Sequence, residues 1–214
     1  MTPFILASSS PRRRDLLTSL GVEFSIIKPQ IDEGRLAGEA PLDYVRRLSR
    51  EKAAIVAAQL SDSSVILAAD TIVVLAADTI GIETDGAILG KPVDADDARA
   101  ILRRLRGRVH HVCTALTMLK TGDDAQQLTE HICTAVTMRN YSDDEIESYI
   151  ATGDPFDKAG AYAIQHPGFR PVASIDTCYT NVVGMPLCVL KRMLAQIKWP
   201  GITAPPVCDC PSIS

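Results

Sequence analysis

Ser8-Ser-Ser-Pro-Arg-Arg13 puts a polar loop and two arginines where a helix begins. A helix N-terminus offers unpaired N–H groups and the positive end of the dipole, a combination that suits phosphate. Arginines in the first turn are unfavourable for the helix alone. A bound anion explains them, and a capped surface helix with solvated arginines explains them equally well. Asp70, in Ala69-Asp70-Thr71, ends a buried apolar run. A carboxylate at a strand end of an α/β fold faces a cleft, where it can hold a divalent cation or act as a general base; a lone aspartate there is more commonly a turn former. Lys91 is held between Gly90 and Pro92. The run Gly153-Asp-Pro-Phe-Asp-Lys158-Ala-Gly-Ala-Tyr-Ala-Ile-Gln165 interleaves polar with small residues. That pattern is odd for a core element and fits a ligand-lining loop or an ordinary connection. Lys52 taken by itself reads as solvated helix surface. His110 and His111 are adjacent on a strand, so they point to opposite faces and cannot share a metal.

The elements that must position these groups follow from periodicity. Phe4–Ala7 reads as a strand. Ser10 with Pro11 is a helix start, with Leu16, Leu17 and Leu20 as the apolar face and Gly21 as the stop. Residues 23–27 read as a second strand. Pro41 opens a long helix to about Leu60, and Val65–Ala69 is a strand ending at Asp70-Thr71. LAADTI occurs twice, at 67–72 and 75–80, before a turn at Asp85-Gly86. Asp94 starts a helix that Gly107 ends. Residues 109–119 and 128–138 form a long hairpin, and Ser142-Asp-Asp-Glu145 is a capping box whose helix Gly153 closes. Short strands and loops follow, then a last helix from Pro186 to about Lys198. Alternating helices and strands with one antiparallel hairpin give an α/β class with a mixed sheet. Residues 1–198 are expected to form one domain. Residues 199–214 carry four prolines and read as a disordered tail.

Composition narrows the function. The chain has 214 residues, a net charge of −4 and 5% aromatic residues. An acidic chain with few stacking rings argues against nucleic-acid binding, despite Arg12, Arg13 and Arg14. No segment reaches the roughly 18 uninterrupted apolar residues of a membrane span, and the N-terminus lacks the charge order of a secretory signal, so a cytoplasmic location is expected. Six cysteines are too sparse for a disulfide framework. Cys113, Cys133, Cys178 and Cys188 sit in apolar runs and read as small hydrophobes. Cys208 and Cys210 lie in the tail, where two ligands make no zinc site. Neither a Walker loop nor a Gly-x-Gly-x-x-Gly fingerprint occurs.

Taken together, ILASSSPRR, the pair Asp32-Glu33, RLSREKA, LAADTIVV, ILGKP, LRGRVHHVCTAL, GDPFDKAGAYAIQ and NVVGMPL resemble the Maf family of nucleoside triphosphate pyrophosphatases, from about Phe4 to Leu194. The resemblance implies a strongly twisted mixed sheet with flanking helices and two lobes around a cleft, similar to inosine triphosphate pyrophosphatases. It implies cleavage of a nucleoside triphosphate to monophosphate and pyrophosphate in nucleotide pool house-cleaning, a divalent cation (Mg or Mn), and in many members a homodimer. By the same resemblance Asp70 is the proton acceptor, Lys52, Lys91 and Glu33 complete the catalytic set, Ser8 and Arg13 bind phosphate, and Glu33 with Asp70 holds the metal. Arg12, Thr71 and Gln165 match the members that prefer dTTP and UTP. Members acting on 7-methyl-GTP have Trp, Gln and Glu there. The competing reading is a nucleotide-binding regulator of cell division with little turnover.

This chain departs from the family at one point. The family has one Ala-Asp-Thr before Gly-Lys-Pro, and here Asp70 and Asp78 both qualify. The interval from Lys52 selects Asp70, while the interval from Lys91 points to Asp78. By the resemblance Thr71-Ile-Val-Val74 matches the residues that follow the family's aspartate, whereas Gly81 makes the run after Asp78 match less well. Asp70 is therefore the expected base, Asp78 the alternative, and 76–84 an extension of the next hairpin.

Overall fold

A computed structural model describes residues 2–75 and 87–200. In chain order these form β1 (Phe4–Ala7), α1 (Pro11–Thr18), β2 (Ser25–Ile26), α2 (Pro41–Ala57), β3 (Val65–Leu75), β4 (Ala87–Leu89), α3 (Ala95–Leu105), β5 (Val109–Lys120), β6 (Gln126–Met138) and α4 (Asp143–Ile150). Two 3-10 turns follow at Asp154–Asp157 and Ala159–Ala161, then β7 (Val172–Ile175), α5 (Tyr179–Val183) and α6 (Leu187–Gln196). The repeat at 75–80, Asp78 and the turn at Asp85-Gly86 lie almost wholly outside the described residues.

One mixed sheet runs β2-β1-β3-β5-β6-β7, with β4 also on β3. β2 and β3 flank β1 in parallel, and every other pairing is antiparallel. Strand alternation sends Phe4 and Leu6 to one face, packed against α1 and α6, and Ile5 and Ala7 to the other, packed against Ala53 and Val56 of α2. A separate core joins α3 and α4 to Val73, Val112, Val136 and Tyr162. The expected mixed α/β architecture is thus observed, and so are the Ser10 cap with Pro11 behind it and the capping box at Ser142 and Glu145. Trp199, assigned by sequence to the tail, packs edge-on against Phe4 at 5.2 Å. Among the described residues no helix is long and apolar enough to cross a membrane.

Two readings change. β3 does not end at Asp70-Thr71. It runs to Leu75, because β5 pairs with it without a break from Val65↔Lys120 to Val74↔His111. Asp70 is therefore a mid-strand residue. Cys113 and Cys133 are not separate hydrophobes either. They face each other across the β5–β6 ladder with Cα atoms 4.1 Å apart and form a disulfide. Composition had ruled out a framework, but a single cystine needs only one cross-strand pair in register, and register is a property of the folded hairpin.

The other edge of β3 explains how a mid-strand carboxylate reaches solvent. β1 pairs with residues 65–68, and β4 pairs with residues 73–75. Among the described residues no strand pairs with residues 69–72 on that side, so the sheet edge opens there, and Asp70 and Thr71 lie in the gap. The crevice sits where β3 changes partner, as ligand sites of open α/β sheets do at a switch point.

Candidate active site

The gap opens into a cleft of about 720 Å³. Ser8, Arg12, Arg13, Glu33, Lys52, Asp70, Thr71, Lys91 and Gln165 all line it. Every described residue expected at the site is therefore brought to one cavity. Asp32 is not: its Oδ1 accepts from Gly34 N at 2.8 Å and shapes the loop.

At the centre is Lys52. Its Nζ donates to Asp70 Oδ1 at 2.5 Å and pairs with Glu33 Oε1 at 2.7 Å. Lys52 is buried rather than solvated. Val45, Leu48, Ser49, Ala53 and Val56 share its stripe of α2, so its helical phase was readable in the sequence. Asp70 points to the α2 face of the sheet, because it alternates in phase with Ile66 and Ala68, whose neighbours are Ala53 and Val56. Side-chain exposure is 12% for Asp70 and 59% for Glu33, so the pair spans from protein interior to open cleft. Burial pushes the Asp70 carboxyl above its ordinary value of 3.8, against the pull of Lys52 and Arg13. Glu33 is affected the other way. Burial raises it, but the hydrogen bond and charge of Lys52, with Lys91 and Arg13 farther off, hold it below its ordinary value.

Arg13 projects from α1 onto the other face. Its Nε donates to Gly184 O at 2.9 Å, Nη1 to Ala69 O at 2.8 Å and Ser8 Oγ at 3.4 Å, and Nη2 to Thr71 Oγ1 at 3.0 Å. These acceptors carry no net charge, so the guanidinium is held by neutral groups and feels the carboxylates of Asp70 and Glu33 only through space. Burial lowers its proton affinity, yet arginine stays protonated. Gly184 has φ of +122° there, a conformation open to glycine that turns its carbonyl toward Arg13. The two first-turn arginines are thus accounted for within the chain, since Arg12 Nη1 meets Asp157 Oδ2 at 3.1 Å. Thr71 Oγ1 also lies 2.9 Å from Thr114 Oγ1. Lys91 follows β4 and is exposed at the cleft, and Gln165 is exposed at its far wall.

Sequence reasoning gave no role to Gly184, Thr114 or the Asp157–Lys158 pair. Only Asp154 and Lys158, four apart in a polar run, left a readable signal there. His110 is buried beneath the site. Its Nε2 lies 2.8 Å from Tyr162 Oη, and burial pulls its pKa down to about 3, so the ring is neutral and structural.

Two carboxylates converging on one ammonium mark a position where positive charge is favourable. A magnesium-like ion takes one or two carboxylates and fills its shell with water and substrate oxygens. Glu33 and Asp70 fit that donor set. Among the described residues no group of three or more His, Cys, Asp or Glu side chains is placed to hold a metal unaided.

An open α/β cleft lined by Arg12, Arg13, Lys28, Lys52, Lys91 and Lys158, with a buried aspartate among them, defines a protein that handles polyanionic small molecules. The chain belongs to the Maf-like protein family, whose model matches residues 3–197. It is 45% identical over 193 residues to the dTTP/UTP pyrophosphatase of Geotalea uraniireducens, covering 88% of this chain and 94% of that one. To the dTTP/UTP pyrophosphatase of Pelotomaculum thermopropionicum it is 42% identical over 199 residues, covering 93% and 98%. A solved nucleoside-triphosphatase (dITP/XTP pyrophosphatase) of Mycobacterium abscessus overlaps 92% of the chain and 97% of its own, at 13% identity and a TM-score of 0.40, a likeness too loose to build on.

The Asp70 shift makes a pH prediction. A general base works only when ionised, so if Asp70 has that role, kcat/KM should rise with pH through its pKa. Because that pKa is raised, the acid limb should have its midpoint above 3.8. A pH–rate profile checks this, and a limb at or below the ordinary aspartate value would remove Asp70 from the role.

Proposed function

We propose that the chain hydrolyses dTTP and UTP to the nucleoside monophosphate and pyrophosphate. The observation that carries the reading is the Glu33–Lys52–Asp70 cluster, set in a cleft that also presents Arg13 and Lys91. The triphosphate carries about four negative charges, which repel an attacking hydroxide-like oxygen. Arg13, Lys52, Lys91 and the N–H groups at the start of α1 offset that charge. Asp70 takes a proton from the attacking water as its oxygen bonds the α-phosphorus. The bond from that phosphorus to the bridging oxygen breaks, and pyrophosphate leaves. The raised proton affinity of Asp70 suits a base that must hold the proton through the step. Glu33 and Asp70 would hold a divalent cation, which neutralises phosphate charge. House-cleaning of the nucleotide pool in the cytoplasm, and a homodimeric state, belong to the same reading through the family resemblance.

The deciding experiment is product analysis with UTP, dTTP and 7-methyl-GTP. Pyrophosphate and monophosphate from UTP and dTTP support the proposal. Orthophosphate overturns the mechanism, 7-methyl-GTP preference overturns the substrate, and binding without turnover favours the regulator.

Gln165 carries a further expectation. Its amide both donates and accepts, which suits the edge of uracil or thymine, whereas a carboxylate only accepts. Gln165→Glu should lower kcat/KM for UTP roughly tenfold, the scale of one good hydrogen bond lost from a desolvated site. Steady-state kinetics with UTP checks it.

A further inference from the structure

The segment 153–165 contains charged groups that the mechanism above does not use. Arg12 Nη1 donates to Asp157 Oδ2 at 3.1 Å, and Lys158 Nζ donates to Asp157 Oδ1 at 2.5 Å. The same ammonium donates to Asp154 Oδ1 at 2.9 Å and to the Asp154 carbonyl at 2.6 Å. Tyr149 Oη donates to Asp154 Oδ2 at 2.7 Å, and it accepts from the backbone N–H of Ala163 at 3.1 Å. Gln165 lies two residues farther on, in the cleft. A continuous hydrogen-bonded chain therefore joins Arg12, at the start of α1, to the backbone that presents Gln165.

Three features make this more than a surface ion cluster. Its charges balance, with Arg12 and Lys158 against Asp154 and Asp157. Lys158 is only 8% exposed and Tyr149 only 2%, and the Tyr149 ring is stacked on Phe169 at 4.4 Å. Finally, the backbone between the two ends makes only short local turns, with Lys158 N to Pro155 O at 3.1 Å and Ala161 N to Lys158 O at 3.0 Å, and takes an unfavourable path between them. Gly160 has φ of +74° and Ala161 has φ of +59°, the latter a conformation L-residues avoid. Such a path persists where its surroundings over-determine it. Here they are Gly160 N to Gly90 O at 3.0 Å and Ala163 N to the Tyr149 hydroxyl. Burial and the Asp154 bond push the Tyr149 phenol up, so it remains a donor to Asp154.

We propose that Tyr149, Asp154, Lys158 and Asp157 are positioning residues that set Arg12 and Gln165 as one unit and so determine how sharply the cleft selects its nucleotide base. The inference rests on the pyrimidine triphosphate reading given above. It deepens that reading by assigning selectivity to residues that need not touch the base.

Tyr149→Phe is the cleanest probe, because it keeps the stacked ring and removes only the hydroxyl. Full-length wild type, Tyr149→Phe, Asp157→Asn, Asp157→Glu and the Tyr149→Phe/Asp157→Asn double variant are compared on UTP and CTP, with melting temperature measured in parallel. For Tyr149→Phe, KM for UTP should rise about tenfold, the scale of one buried N–H left without its acceptor, and the UTP-to-CTP ratio of kcat/KM should fall with it, while kcat changes much less. Asp157→Asn is exposed enough to fold whatever happens at Tyr149. It should give the same direction, with Asp157→Glu restoring part of the ratio. The double variant should be no worse than the more affected single, because each breaks the same chain. A Tyr149→Phe protein that melts lower but keeps the wild-type KM and base ratio overturns the relay, since that is all a structural role would move. So do strictly additive effects. A wild type that does not prefer UTP to CTP overturns the dTTP/UTP reading and this inference with it; a UTP-over-CTP preference that survives both single variants overturns this inference alone.

Discussion

Asp70→Asn should lower kcat for UTP by at least about a hundredfold, the range general-base catalysis supplies, while the protein stays folded. Asparagine keeps the shape of the side chain and an oxygen that Lys52 can still reach. It loses the charge that would accept the water's proton. The fold should survive because Lys52 is not stranded: Glu33 remains on its Nζ at 2.7 Å. Removing one partner of a buried pair is strongly destabilising when the other charge is left unpaired, and here it is not. Single-turnover kinetics beside a thermal melt separate the two effects. Asp78→Asn is the paired measurement. Asp78 lies outside the described residues, so its claim rests on the interval to Lys91 alone, and its loss should cost far less. A dead Asp78→Asn beside an active Asp70→Asn would move the base to Asp78 and the specificity position from Thr71 to Thr79.

Removing divalent cations should have an effect of similar size. With EDTA in excess, pyrophosphate release from UTP should fall at least about a hundredfold, since a bound cation contributes several kcal/mol of charge stabilisation in phosphate chemistry. Adding back excess Mg or Mn should restore it. The two donors identified predict how the dependence shifts. Glu33→Gln leaves one charged carboxylate, so half-maximal activity should need more metal, while Asp70→Asn should not be rescued by any metal concentration because it also loses the base. Full activity in EDTA would remove the cation from the reading, and the Lys52 ammonium between Asp70 and Glu33 would then be the resident charge at that point.

Much of the fold was legible locally. The Ser10-Pro11 start of α1, the capping box at Ser142 and Glu145, and the alternation through β1 depend on neighbours within a few residues, and all appear as read. The β5–β6 hairpin was read within two residues at each end. α5 was missed, because five residues opening on Cys178 carry no periodic signal. The end of β3 was misplaced for a related reason. A strand's length is set by its partner, and β5 stays paired far beyond Asp70.

The candidate site divides the same way. Residue types and order in the sequence already determined which side chains were available: two arginines at a helix start, a lysine in the apolar phase of α2, an aspartate after a buried run and a lysine between Gly90 and Pro92. The tertiary structure decided what they do together. Asp70 and Thr71 are consecutive on a strand and must point to opposite faces, yet both line one cleft, because the sheet edge is open between β1 and β4. Arg13 lines the cleft, and the contacts that hold it there come from Gly184, Ala69, Ser8 and Thr71. Arg12 is held by Asp157 from 145 residues away. Cys113 and Cys133 meet only because the hairpin register puts them opposite each other. Apart from Ser8, the partners of Arg12, Arg13 and Cys113 are all distant in sequence. Composition, spacing and helical or strand period report only on near neighbours along the chain, so such contacts are decided by how strands pair and where pairing stops.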